Sequence, residues 1–124
     1  MARAKFRAPQ GPRSPIVWAP STKAALLAMP VPVRTEIGNA LDWAQAGSIH
    51  PHTKPMKGFG GGSVLEVVEN FDGDTFRAVY TVKIKGRVYV LHVFQKKAKS
   101  GIKTPKAYLE LIKRRLAAAQ ARER

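Results

Sequence analysis

The apolar positions of this chain fall into three kinds of pattern. Val33, Ile37, Ala40, Leu41 and Ala44 recur at offsets of four, seven, eight and eleven from the first, which makes one apolar face of a helix. Pro32 fits its first turn, where a missing N–H costs nothing, and Gly47 fits its C-terminal end. A shorter helix through Ala24, Leu26 and Leu27 precedes it, with Ser21 and Thr22 as capping candidates and Pro30 and Pro32 as its stop. So short a break predicts a helical hairpin that packs as one unit. Ile16–Ala19 is a brief apolar run after a proline and reads as a strand. Residues 64–70, 76–84 and 87–95 read as three further strands. Asp72-Gly73 and Lys85-Gly86 are the turns between them, so the three are antiparallel neighbours. Thr104-Pro105 opens a last helix with a cap and a first-turn proline, and its apolar face is Tyr108, Leu111, Ile112 and Leu116. Its Ala117-Ala118-Ala119 end is expected to fray. Residues 48–63 read as loop. The order is strand, helix, helix, three strands, helix, with no internal repeat. This predicts one α+β domain on a small, mainly antiparallel sheet.

Composition narrows the class. The chain has 124 residues, 44% of them hydrophobic, which suits one globular domain. It has no cysteine, which excludes disulfides, thiolate nucleophiles and Cys-ligated zinc. No apolar run approaches the roughly 18 residues of a membrane span, and no apolar stretch follows the basic N-terminus as in a secretory signal. A cytoplasmic location is expected. The 22 Lys+Arg against 8 Asp+Glu give a formal charge of +14, so polyanions, nucleic acid first, are the expected partners, and no membrane is. Residues 1–15 hold Arg3, Lys5, Arg7 and Arg13 among prolines and no acid, and read as a flexible basic arm ahead of a domain over 16–120. Glu66, Glu69, Asp72 and Asp74 read as one acidic patch. Between Gln95 and Arg115 stand eight basic residues against Glu110 alone, which points to a phosphate-binding surface.

Several short motifs bear on chemistry. His50 and His52 flank Pro51 with no Cys or nearby acid, and read as polar loop residues rather than metal ligands. The run Phe59–Ser63 lacks the Gly-Lys-Ser/Thr of a phosphate loop, but Lys54 and Lys57 beside it place two ammonium groups near a bound backbone. Asp72–Asp74 lacks the rest of a calcium loop. Arg77 stands in an otherwise apolar strand. Either its stem packs while its head reaches solvent, Glu66 or Glu69, or it is a rigid cation for a charged phosphorane. His92 sits where alternation groups Val88, Val90, His92 and Phe94 on one face and Tyr89, Leu91 and Val93 on the other. Both faces are mainly apolar, as in a central strand covered on both sides. Its pKa range also suits proton transfer. Lys96 and Lys97 follow that strand directly, and Lys99 and Lys103 continue the basic run.

The stretch KPMKGFGGGSVLEVVENFDGDTFRAVYTV, followed by VYVLHVFQKKAKSGIKTPKAYLELIKRRL, closely resembles the phage-derived host-inhibition proteins of the HigB type, in the RelE/ParE toxin superfamily. The similarity runs from about Trp18 to Leu116, and HVFQKKAKSGIKTP is its most specific part. The resemblance implies a RelE-like fold and the toxin of a type II toxin–antitoxin pair, with a helix-turn-helix antitoxin as partner and a free monomer favoured. It implies an endoribonuclease that cuts messenger RNA on the ribosome without cofactor or metal, through attack of the ribose 2′-OH on the adjacent phosphate. Such chemistry needs a base, an acid and cations for the phosphorane. By position, Arg77, Lys96 and Lys97 would contact phosphate, His92 would carry a proton, and Lys54 and Lys57 would position RNA and could help as base or acid; Lys99 and Lys103, in the basic run after the strand, would bind RNA in the same groove. The family pattern departs at Val68, where many relatives have arginine. Two other outcomes share the fold: a non-catalytic toxin that blocks DNA gyrase, as in the ParE branch, and an orphan phage-derived protein that only binds nucleic acid.

Overall fold

The computed structural model describes residues 4–60, 62–96 and 104–123. In chain order the elements are β1 (Ile16–Trp18), α1 (Thr22–Leu27), α2 (Val31–Gln45), β2 (Thr53–Pro55), β3 (Leu65–Phe71), β4 (Asp74–Ile84), β5 (Arg87–Lys96) and α3 (Lys106–Arg122). They form an α+β, RelE-like arrangement around one five-stranded sheet of order β1-β5-β4-β3-β2. Four strands run antiparallel to their neighbours, and β1 pairs parallel with β5 at one edge. The α1–α2 hairpin covers one face of the sheet and α3 the other.

The turns form as their residues dictate. Asp72 and Gly73 have φ of 51° and 82°, and Lys85 and Gly86 have 49° and 68°. Positive φ at both central positions matches the right-handed twist of the flanking strands. Gly47, at φ 84°, follows the end of α2 as expected.

The core divides into two layers. Val33, Ile37, Ala40 and Leu41 of α2 pack with Val67, Phe76, Ala78, Tyr80, Val88 and Val90 on the first face. Ile112 and Ala119 of α3 pack with Val79, Tyr89, Leu91 and Phe94 on the second. β5 is therefore covered on both sides, as its apolar composition predicts.

The structure corrects several local expectations. Residues 48–63 are not all loop, since Thr53–Pro55 pairs with β3 at the far edge. The expected alternation of β5 breaks at a bulge. Val79 pairs with His92 and Tyr80 with Val90, which leaves Leu91 as an extra residue. Val88, Val90 and Val93 then face the helical hairpin, while Tyr89, Leu91 and Phe94 face α3. Neither Ser21 nor Thr104 caps a helix through its side chain. Ser21 is left-handed at φ 70°, and Pro105 precedes the first residue of α3. Where fraying is expected, α3 runs on through Ala117–Ala119 to Arg122, and Glu123 meets Arg87 at 2.7 Å and the Tyr89 hydroxyl. The acidic patch is split. Glu66 and Glu69 are an odd number of residues apart on β3 and so lie on opposite faces, both buried.

Residues 4–15 form no helix or strand and lie along α2. The Lys5 amide donates to Glu36 Oε1 at 2.7 Å, Arg13 Nε to Asp42 at 2.6 Å, and the Ser14 amide to the Gln45 carbonyl at 2.8 Å.

Candidate nucleic-acid interface

Cross-strand pairing decides which of the expected residues meet. Residues directly opposite in an antiparallel sheet share a face. Lys54 stands opposite Glu66, Val68 opposite Arg77, Arg77 opposite Phe94, and Thr75 opposite Lys96. Lys54, Glu66, Arg77, Phe94 and Lys96 therefore occupy the α3 side, and His92 joins them through Tyr108. Lys57 is exposed in the loop after β2. Lys97, Lys99 and Lys103 lie outside the described residues.

One carboxylate organises the centre of this face. Glu66 Oε2 accepts from Arg77 Nη1 at 3.1 Å, and Glu66 Oε1 lies 3.7 Å from Lys54 Nζ. Two cations on one anion leave a net positive charge. Arg77 and Glu66 are nearly buried, whereas the Lys54 side chain is 62% exposed. Of the two readings of Arg77, its stem packs and its head meets Glu66. Glu69 is out of reach on the other face. Lys54 is the cation of the cluster open to a ligand, and Lys96 ends β5 on the same side, half-buried.

His92 sits in an aromatic group. Its ring stacks on Phe94 with centroids 4.9 Å apart and meets the edge of Tyr108 at 4.6 Å. Its Nε2 is buried without a hydrogen-bond partner. Burial first, and the nearby Arg115 charge second, lower its pKa from 6.5 to about 4. The ring is thus neutral at pH 7 and presents a proton acceptor rather than an acid. Tyr108 fills a packing role here, as its place on the apolar face of the helix predicts. Arg115 leaves the phosphate-binding set: Nη1 donates to the Leu91 carbonyl at 2.7 Å and Nη2 to the Pro20 carbonyl at 3.0 Å. It ties α3 to the sheet and to the start of the hairpin.

The His92 shift has a measurable consequence. Between pH 6.5 and about 4 the unfolded chain binds the His92 proton and the folded chain does not. Stability from this group is complete above pH 6.5 and falls as pH falls through that window, by at most about 3 kcal/mol. Burial also lowers the His50 pKa, which acts in the same direction. Glu69, raised mainly by burial, acts in the opposite one. His92→Phe keeps the ring stack and removes the proton. Denaturant unfolding at about pH 7 and about pH 4.5 is expected to show a smaller acid loss in His92→Phe than in the unaltered chain.

A second polar cluster lies on the opposite face, at the two histidines expected to be polar loop residues. His50, fully buried, Glu36 of α2, and His52 each place one donor atom within 4.8 Å of the others. His52 Nδ1 is 2.6 Å from Glu69 Oε2. The acid that the local sequence around His50 and His52 lacks arrives from α2 and β3. A shallow cleft of about 410 Å³ lies elsewhere, between the Lys85 turn and the end of α3, and is lined by Ser63, Thr81, Lys83, Gln120 and Glu123.

Residues 24–117 match the model of the family described as Phage derived protein Gp49-like (DUF891), and the chain belongs to that family. Comparison with curated proteins and with solved structures gave no match. Among the described residues, no helix is long and apolar enough to cross a membrane.

Proposed function

We propose that this protein is the toxin of a type II toxin–antitoxin pair and that it cleaves messenger RNA on the ribosome. Its partner in the resting cell would be a helix-turn-helix antitoxin. The reading is supported by membership of a phage-derived family of RelE/HigB-like character and by the α+β fold. The observation that carries it is the placement of Lys54, the Arg77–Glu66 pair, His92 and Lys96 on one face of the sheet. Lys54 and Lys96 would hold phosphate. Glu66 would hold both Lys54 and Arg77 in position, and Arg77 would lend positive potential to the phosphorane. His92, neutral at pH 7, would receive the 2′-OH proton as the phosphorane forms; negative charge building beside the ring raises its basicity.

A competing reading is a non-catalytic toxin of the ParE kind that blocks DNA gyrase. The burial of Arg77 against Glu66 favours it, since a neutralised cation contributes less to a transition state than a free one.

The Lys54→Ala, Lys96→Ala double variant tests the assignment. It is expected to relieve growth arrest on induced expression while keeping the thermal midpoint of the unaltered chain. Its affinity for single-stranded RNA should lose about 1.4 from the slope of log K against log salt, two contacts at about 0.7 each. Undiminished arrest with an unchanged slope would remove both lysines from the interface.

A further inference from the structure

The polar cluster under the N-terminal segment has the parts of a metal centre. Glu36 comes from α2, His50 and His52 from the turn before β2, and Glu69 from β3, so three separate elements converge on it. Two of its ligand atoms are buried without hydrogen-bond partners. His50 is 0% exposed and its Nε2 meets no acceptor. Glu36 is 7% exposed and its Oε2 meets no donor. Orphaned buried polar atoms are costly, and two in one cluster call for a ligand that satisfies both.

We propose that Glu36, His50 and His52 form a binding site for a divalent cation of the zinc class, oriented by Glu69. Two imidazoles and a carboxylate are a donor set that zinc accepts with one position left for water. Glu69 holds His52 Nδ1, the arrangement in which a carboxylate fixes an imidazole and leaves its Nε2 for the metal. Glu36 and Glu69 together supply two negative charges against the dication. Phe6 roofs the cluster, with its ring edge-on to His50 at 5.5 Å and to His52 at 5.4 Å. The Lys5 amide occupies Glu36 Oε1 and leaves Oε2 for the metal. Binding would therefore fasten the segment before β1 to α2 as well as close the 50–52 turn.

Loading the site requires two adjustments. Donors now up to 4.8 Å apart must close to about 3.4 Å, the separation in a tetrahedral zinc shell. The His52 amide donates to His50 Nδ1 at 3.0 Å, so the neutral His50 ring carries its proton on Nε2. For Nε2 to bind metal, that proton moves to Nδ1, and the His52 amide loses its acceptor. No net proton is released from His50. One neutral hydrogen bond is a small part of what zinc coordination returns.

The test is a zinc titration of the untagged chain with the rings of its three histidines followed by NMR. One equivalent of zinc is expected to bind with a Kd on the order of 1 μM or tighter. The His50 and His52 ring signals should shift, the His52 amide should lose its hydrogen-bonded character, and His92, on the other side of the sheet, should not move. Glu69→Gln is expected to weaken binding about 10–100-fold, as removal of an orienting carboxylate does elsewhere. Rings of His50 and His52 unmoved by an equivalent of zinc would overturn the proposal. So would equal zinc affinity in the unaltered chain and in Glu36→Gln. The ring shifts need no variant, so a variant that fails to fold does not blunt the test.

Discussion

Glu66→Gln is expected to destabilise the protein by about 3 kcal/mol or more, as a loss in denaturant midpoint with little change in slope. The cause is the Arg77 guanidinium. It is held at 3.1 Å by Glu66 with both side chains more than nine-tenths buried. Glutamine keeps the volume and one acceptor but removes the carboxylate charge that faces the buried guanidinium. Breaking a buried pair costs more than never having one. The double variant Glu66→Leu, Arg77→Met should therefore recover most of the loss. It would also separate the two uses of the pair, since a recovered fold with no arrest would place Arg77 in function rather than only in structure. A double variant as unstable as Glu66→Gln alone would show that the pair is not what holds this part of the sheet.

Ile112→Ala is expected to cost about 2–5 kcal/mol and to loosen α3 before the rest of the fold. Only Ile112 and Ala119 of this 17-residue helix are buried, and Ile112 is 0% exposed among Val79, Leu91 and Phe94 of the second core layer. Tyr108, Leu109 and Leu116 add partly buried apolar contact, and the polar ties are Arg115 to two carbonyls and Glu123 to Arg87 and Tyr89. Hydrogen exchange should show amides of α3 losing protection by the larger factor while β4 and β5 keep theirs. Uniform loss across helix and sheet would mean that α3 and the sheet unfold as one unit. The behaviour bears on function because α3 brings Tyr108 against His92, so a loosened helix opens the face that carries the basic cluster.

Much of the fold is legible in the chain because its signals are local. The apolar face of α2, Pro32 inside its start, Gly47 past its end and the two Xaa-Gly turns each act within a few residues. The expectation of one acidic patch overlooks the strand's period of two, which places Glu66 and Glu69 on opposite faces, and only the β3–β4 register decides between them as partners for Arg77. What could not be read depends on the partner strand or on distant chain. β2 is three residues with a proline, too short to show alternation, and exists because β3 offers an edge. The bulge at Leu91 follows from fitting β5 to β4 and has no glycine to announce it. The last turn of α3 is kept by Arg87 and Tyr89, 36 and 34 residues away. The cluster of Glu36, His50, His52 and Glu69 was hidden for the same reason. His-Pro-His alone shows no acid, and both carboxylates come from other elements. The basic surface was legible as a count of charges, but the count could not show that Arg115 spends its donors on backbone carbonyls.

The most direct test of the central claim is the mapping of RNA 5′ ends after induced expression in a host cell. Growth arrest is predicted to come with new 5′ ends confined to translated messenger, and the Lys54→Ala, Lys96→Ala variant to show neither. Arrest with intact messenger would contradict the nuclease account and direct attention to gyrase-type inhibition, which DNA damage in the same cells would reveal.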